Sequence, residues 1–317
     1  MRNHLNCAII VCGFILLFSA QGSRAQLPQQ RFRWVSPPVE TPQLQQRIFY
    51  SQIAQTRISY HIFLPDAYDR HPEQRFPVIY WLHGSGPRPT SGIPYIVKWF
   101  RDAMQDGHIP PALIVFPYGP RSMWCDSKDG RIPIESVLIH ELIPDVDATF
   151  RTRPQRGSRL IEGFSMGGYG ALRLGFKYPH LFGAISSLSG GPLQPVFTFS
   201  VRASDRMRRQ VLQRIYGGDM AYFKAQSPWR LAEQNADAIR GRIHIRLVIG
   251  DQDAMIFVTR QFVAHLQELG IPHRFIVLPD VGHHPMAVLK ALGSQNWEFY
   301  RQVFSSGNDA QKSDSGR

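Results

Sequence analysis

The 317-residue sequence predicts an α/β domain built on a doubly wound, mostly parallel sheet, with antiparallel strands at its start and one inserted segment. Short, nearly continuous apolar runs such as Pro77–His83, Ala112–Phe116 and Ala184–Leu188 have the character of strands buried on both faces. These runs alternate with stretches of helical apolar spacing, as in successive βαβ units. Between one such run and one such helix lies Gly163-Phe-Ser-Met-Gly167, which needs a very sharp strand-to-helix turn.

Taken in order, Arg47–Ala54 and Ile58–Leu64 read as paired strands closed by Pro65-Asp66. Pro77–His83 is the first buried strand, Tyr95–Met104 a helix and Ala112–Phe116 the next strand. Glu135–Phe150 has helical spacing, with a kink or break implied at Pro144. Arg159–Glu162 leads into the glycine-rich turn, and Ala184–Leu188 follows. Residues 191–237 are mixed, basic and aromatic, and read as a cap over the substrate pocket. The sheet resumes at Ile243–Ile249, a helix spans Thr259–Leu269, and His273–Leu278 is the last strand. Met286–Val303 is helical, and 305–317 is a polar tail without core-forming residues.

The first residues read as an export signal: Arg2, an apolar-rich core at Ala8–Ala20, and Ser23-Arg24-Ala25 as a cleavage site, so that Gln26 is the expected mature start. The core is too short for a confident membrane span, and no stable span is expected after cleavage. Residues 26–45, rich in Gln and Pro, read as a flexible leader, and 46–304 as the catalytic domain. Removal of 1–25 takes away Arg2 and Arg24 and leaves +10 of the formal +12. Such a basic balance suits nucleic acid, anionic polysaccharide or a membrane surface. The densest cluster, Arg202 to Arg214, has no interleaved aromatics and reads as a solvated face, with no nucleic-acid partner expected. Cys7 and Cys12 leave with the signal, so Cys125 has no partner for an internal disulfide and reads as a packing residue.

The chemistry is organised around Ser165. Its turn holds a hydroxyl at the head of a helix, where backbone N–H groups favour negative charge. A serine hydroxyl needs a base to take its proton. His283 and His284 follow the last strand, and His283 is preferred because it directly follows Gly282. Asp251 and Asp253 follow the preceding strand. Asp253 is placed to turn back towards the histidine and fix its tautomer, while Asp251 suits a turn cap. The backbone N–H groups of Met166 and Ser85 are the expected donors to an oxyanion, Ser85 from the loop His83-Gly-Ser-Gly86. Other chemistries fit poorly. His140-Glu141 lacks the second His of a zinc helix, and Asp126–Gly130 puts Lys128 and Gly130 at calcium-ligand positions. No cofactor and no metal are expected.

With these residues in hand, the chain resembles the esterase D-like family of α/β-hydrolases, which includes feruloyl and acetylxylan esterases and mycolyltransferases. The likeness runs from about Arg47 to Phe304 and is carried by Pro77–Gly84, Trp124-Cys-Asp-Ser127, Glu141-Leu-Ile-Pro144, Met166–Gly170, Ser187–Gly190, Ser227-Pro-Trp229, Gly250–Asp253 and Gly282-His283. It implies the α/β-hydrolase fold, a Ser165–Asp253–His283 triad, an acyl-enzyme and no metal. It also implies that Trp124, Asp126 and Ser127 lie near the substrate, and Trp229 is a further candidate for stacking on a ring or sugar. Glu162 departs from the family, which carries a small residue there. A carboxylate buried at that position requires a partner.

The expectation is therefore an exported serine esterase acting on a small-molecule or polysaccharide-linked ester. Acyl transfer to a cell-envelope or sugar alcohol uses the same triad. A catalytically silent binding protein on the same fold is the third reading.

Overall fold

A computed structural model describes residues 32–191, 193–196 and 203–314 of the chain. The expected signal segment lies outside these residues. Arg33–Arg317 forms one unit.

The sheet has eight strands in the order β1-β2-β4-β3-β5-β6-β7-β8. These are β1 (Leu44–Ser51), β2 (Thr56–Phe63), β3 (Val78–Leu82), β4 (Leu113–Pro117), β5 (Arg159–Phe164), β6 (Ala184–Leu188), β7 (His244–Gly250) and β8 (Arg274–Leu278). β1 and β2 pair antiparallel, β2 joins β4 antiparallel, and every later pairing is parallel. β3, β4 and β6 are buried at every residue, as strands sandwiched between helical layers must be.

The helices are α1 (Asp66–Arg70), α2 (Ile93–Gln105), α3 (Ile134–Val137), α4 (Ile143–Thr149), α5 (Met166–Lys177), α6 (Ala203–Tyr216), α7 (Met220–Ala225), α8 (Pro228–Ile239), α9 (Ile256–Glu268), α10 (Pro285–Leu292) and α11 (Ser294–Asp314). They divide the core between the two faces of the sheet. One layer includes residues of α5, α8 and α9, and the other residues of α2, α10 and α11.

Four local outcomes differ from expectation. The helix expected over 135–150, with a kink or break at Pro144, is interrupted just before that residue and continues through it. A π-helical turn at Leu138–Leu142 joins α3 to α4, so the ring at Pro144 is accommodated without ending the helix. The helix expected at 286–303 splits at Gly293, whose φ is 53°, and α11 runs on through the expected polar tail to Asp314. The leader is tied down from Arg33 onward. The backbone N–H of Ser36 donates to Ser59 Oγ at 2.8 Å, Gln46 donates to the Ser36 carbonyl at 2.8 Å, and Val39 packs on the core. Finally, 191–237 is not all cap. α8 joins parallel strands β6 and β7, a connection that needs a covering helix. Its Leu231, Ala232, Ala236 and Ile239 are buried in the main core. α6 and α7 reach the same core through Leu212, Ile215, Tyr216 and Phe223, and α6 rests on the 122–130 loop through Lys128 N–H to the Ile215 carbonyl at 2.7 Å.

Glu162 finds its partner across the sheet. It stands opposite Ser186, which stands opposite Arg246, so three parallel strands present one buried polar row. Arg246 meets Glu162 at 2.9 Å, both side chains fully buried, while Ser186 Oγ and Tyr300 Oη of α11 donate to the same carboxylate at 2.8 Å. The Arg246 guanidinium also lies 4.0 Å from the centre of the Phe299 ring. Glu162 thus braces strands and helix beneath the turn and lines no pocket.

Candidate active site

Ser165 leaves β5 with φ 58° and ψ −119°, a strained conformation for any side chain but one that raises its hydroxyl above the sheet edge. The turn closes only because Gly167 has no side chain: a Cβ there would lie 1.9 Å from the Leu82 carbonyl oxygen. The Ser165 N–H donates to Leu188 O at 3.0 Å and the Gly191 N–H donates to Ser165 O at 3.1 Å, which tie the strained residue to the end of β6.

The loops after β7 and β8 meet beside it. A Cβ on Gly250 would lie 1.8 Å from the Val281 carbonyl oxygen, so the glycine is what lets the 250–253 turn lie against the 281–284 loop. That contact brings Asp253 Oδ2 to 2.7 Å from His283 Nδ1, and His283 Nε2 to 3.0 Å from Ser165 Oγ. Asp251 is exposed and takes no part. His284 instead begins α10, its Nδ1 accepting the Ala287 N–H at 3.4 Å. The Phe164 ring packs on the His283 imidazole with centroids 4.7 Å apart.

Asp253 is 2% exposed. Burial alone would raise its pKa. The hydrogen bonds from His283 and from the Met255 N–H at 3.0 Å outweigh that and hold the carboxyl below its ordinary value. With a carboxylate on Nδ1, the imidazole carries its proton there and turns an Nε2 lone pair to Ser165. His283 remains 38% exposed, so water reaches the line.

The loop after β3 lies against the turn. A Cβ on Gly84 would be 3.3 Å from Phe164 O and 3.4 Å from Ser165 Cβ, which sets Gly84 and half-buried Ser85 beside the hydroxyl. His83 fastens this loop. Its Nε2 accepts the Gly119 N–H at 3.3 Å, so Nδ1 carries the proton and donates to Gly84 O at 2.8 Å. Burial lowers the His83 pKa and keeps the ring neutral. The sequence pattern marks His83–Gly86 as the loop that offers the Ser85 N–H to an oxyanion. The anchoring role of the histidine was not visible in it.

Four residues expected near substrate are engaged with the protein's own loops and helices. Trp124 is fully buried, packs against Gly170 and donates from Nε1 to His83 O at 3.2 Å, so it supports the β3 loop from below. Asp126 accepts the N–H groups of Glu135 and Ser136 at 2.7 and 3.1 Å and so closes the start of α3. Ser127 is 3% exposed and spends its hydroxyl on Asp129 and the Ile132 N–H. Trp229 packs between Phe262 and His265 and donates to Leu193 O at 2.9 Å. All four hold loops or helices in place. A cavity of about 430 Å³ opens on the Gly84 and Phe164 side of the turn, walled by Trp81, Gly84, Ile96, Tyr118, Phe164 and Met286, among others, with the neighbouring Ser165 and His283 outside its lining. Its alternation of β3, β4 and α10 residues gave no contiguous motif.

Among the described residues no group of three or more His, Cys, Asp or Glu side chains is arranged to hold a metal ion, and no helix is long and apolar enough to cross a membrane.

The family described as "Putative esterase" matches residues 51–306. An endo-1,4-beta-xylanase/feruloyl esterase of Xylanibacter ruminicola is 32% identical over 165 residues, 48% of this chain and 22% of that protein. An esterase of Mycobacterium tuberculosis is 29% identical over 265 residues, 75% of this chain and 56% of that protein. The chain therefore spans well under two thirds of both curated relatives. Among solved structures, a ferulic acid esterase superposes with a TM-score of 0.68 at 20% identity, covering 82% of this chain and 98% of that one, a likeness of fold.

Proposed function

Because the chain belongs to this esterase family, we propose that it is a serine esterase that cleaves carboxylic esters through an acyl-enzyme on Ser165. One observation carries the reading: a buried carboxylate, an imidazole and a serine hydroxyl in hydrogen-bonded succession at 2.7 and 3.0 Å, at the carboxyl end of a parallel sheet. Ser165 Oγ attacks the ester carbonyl as His283 Nε2 takes its proton. Asp253 holds the imidazole in the required tautomer and stabilises the imidazolium. The N–H groups of Met166 and Ser85 receive the oxyanion, each donor being worth about 3–4 kcal/mol in comparable sites. His283 then returns the proton to the leaving alcohol, and water repeats the sequence on the acyl-enzyme.

The apolar, aromatic wall of the cavity suits an apolar acyl or aryl group. Relatives named as feruloyl esterases support a small-molecule or polysaccharide-linked ester as substrate. The exposure of His283 favours hydrolysis over transfer to another alcohol, since transfer requires that water be kept out. The catalytic domain is assigned to 46–304, and 1–25 to a cleaved export signal, tested by finding Gln26 at the mature N-terminus. The activity is tested with a 4-nitrophenyl ester on the unmodified chain and on Ser165→Ala. Loss of turnover in the variant is expected, and equal rates would sink the reading.

A further inference from the structure

The cavity on the Gly84 side of Ser165 has an apolar wall, and the stretches that form nearly all of it carry basic residues and no acidic ones. All of its lining residues except Phe164 come from 81–101, 112–125 and 281–297, and these three stretches contain no Asp or Glu. Arg88 immediately precedes the wall residue Pro89, and its carbonyl receives the Ser91 N–H in the turn that forms that wall. Arg121 stands three residues beyond the wall residue Tyr118, in the loop that His83 grips through Gly119. Arg33 comes from the anchored leader, close enough to Tyr118 for its charge to act on that hydroxyl. The leader stretch 32–39 is also free of acids.

All three arginines are exposed, and none has an ion-pair partner among the described residues. Of the carboxylates next along these stretches, Asp102 pairs with Lys98 and Arg101, Asp126 closes the start of α3 and Glu298 pairs with Arg274, while Glu40 is exposed. Asp280 is exposed at the other end of the His283 loop, and Asp253 lies buried under His283. Cations without counter-charges around a low-dielectric opening focus a positive potential on whatever enters it. Arginine forks are also well suited to carboxylate geometry.

We propose that this cavity selects esters whose bound group is apolar beside the ester bond and anionic at its far end, a carboxylate being the simplest such end, with Arg33, Arg88 and Arg121 as a cationic collar. The proposal rests on the ester-cleavage reading and names the substrate class for the same site. The anion belongs either to the acyl group, as in a dicarboxylic half-ester, or to the alcohol, as in a uronate-bearing sugar.

The test compares matched pairs on the full chain. 4-Nitrophenyl hydrogen adipate against 4-nitrophenyl hexanoate places the charge on the acyl side. The butyrate of 4-hydroxybenzoic acid against the butyrate of its methyl ester places it on the alcohol side. The readout is the anionic-to-neutral ratio of kcat/KM, at about 10 mM and about 0.5 M salt. In one pair the ratio is expected to fall roughly tenfold from the unmodified chain to the triple variant Arg33→Gln, Arg88→Gln, Arg121→Gln, to fall further with Glu at the three positions, and to be compressed by salt. The pair that responds identifies the side that carries the anion. A ratio indifferent to both variants and to salt in both pairs overturns the collar while neutral-ester turnover leaves the esterase reading standing. Failure of the unmodified chain on all four esters counts against the esterase reading itself.

Discussion

Replacing Asp253 by Asn tests how the site works, because the two side chains have nearly the same shape and differ in what they offer His283. The carboxylate lies 2.7 Å from Nδ1 and fixes the proton there, leaving Nε2 to accept from Ser165 at 3.0 Å. An amide can present its NH2 to Nδ1 instead, which moves the ring proton to Nε2 and removes the base. The imidazolium formed during attack also loses its charged partner, a hydrogen bond of about 1.5–3 kcal/mol in its own right. Together these predict a fall in kcat/KM of about 10³–10⁴, or ~4–5.5 kcal/mol of transition-state stabilisation. Exposed Asp251, two residues away, predicts a change within about twofold on Asp251→Asn, as at an ordinary surface position. The assay is steady-state hydrolysis of one 4-nitrophenyl ester by both variants, with thermal unfolding as the check on folding. Near-equal losses, or a larger loss for Asp251→Asn, would refute the assignment of the acid.

His283→Ala should abolish ester turnover, whereas His284→Ala, which removes a 3.4 Å bond at the start of α10, should retain most of it. The reverse pattern exchanges the two roles. Glu162→Leu should destabilise the fold by about 3–5 kcal/mol, because it leaves Arg246 buried without a counter-charge, and pairing it with Arg246→Met should recover most of the loss in denaturant unfolding. A double variant no more stable than the single one would show that the pair is not acting as a unit. His61 of β2 is fully buried with neither ring nitrogen hydrogen-bonded among the described residues, and burial pulls its pKa down to about 4. The unfolded chain takes up the proton first as pH falls below ~6.5, so the stability held above that value drains away towards pH 4. His61→Phe should therefore gain about 1–2 kcal/mol on the unmodified chain between pH 7.5 and pH 5. A constant difference across that range would contradict it.

Much of this was legible in the sequence because the governing features are local. Buried parallel strands read as apolar runs, and Gly163–Gly167 declares its turn by the glycine at 167 that the Leu82 backbone demands. The choice of Asp253 and His283 over their neighbours followed from spacing after a turn glycine, and the structure brings those two, and not Asp251 or His284, to Ser165. What sequence reasoning missed depends on register and on layers. Glu162 and Arg246 are 84 residues apart and meet only because β5, β6 and β7 align them in one row. Trp124 looked like a pocket aromatic, yet its position under α5 against Gly170 is set by the packing of a loop that no periodicity describes. The cavity wall draws on three separate stretches and on Phe164 of the turn, and no single motif spans them.

The central claim is that Ser165 forms a covalent intermediate driven by His283 and Asp253. Intact-mass and peptide analysis after exposure to an alkyl fluorophosphonate measures it directly. The account predicts one adduct per chain on the peptide carrying Ser165, none in Ser165→Ala, and labelling slowed by orders of magnitude in His283→Ala. Adduct formation at another residue, or labelling of Ser165 at an unchanged rate in His283→Ala, would contradict it.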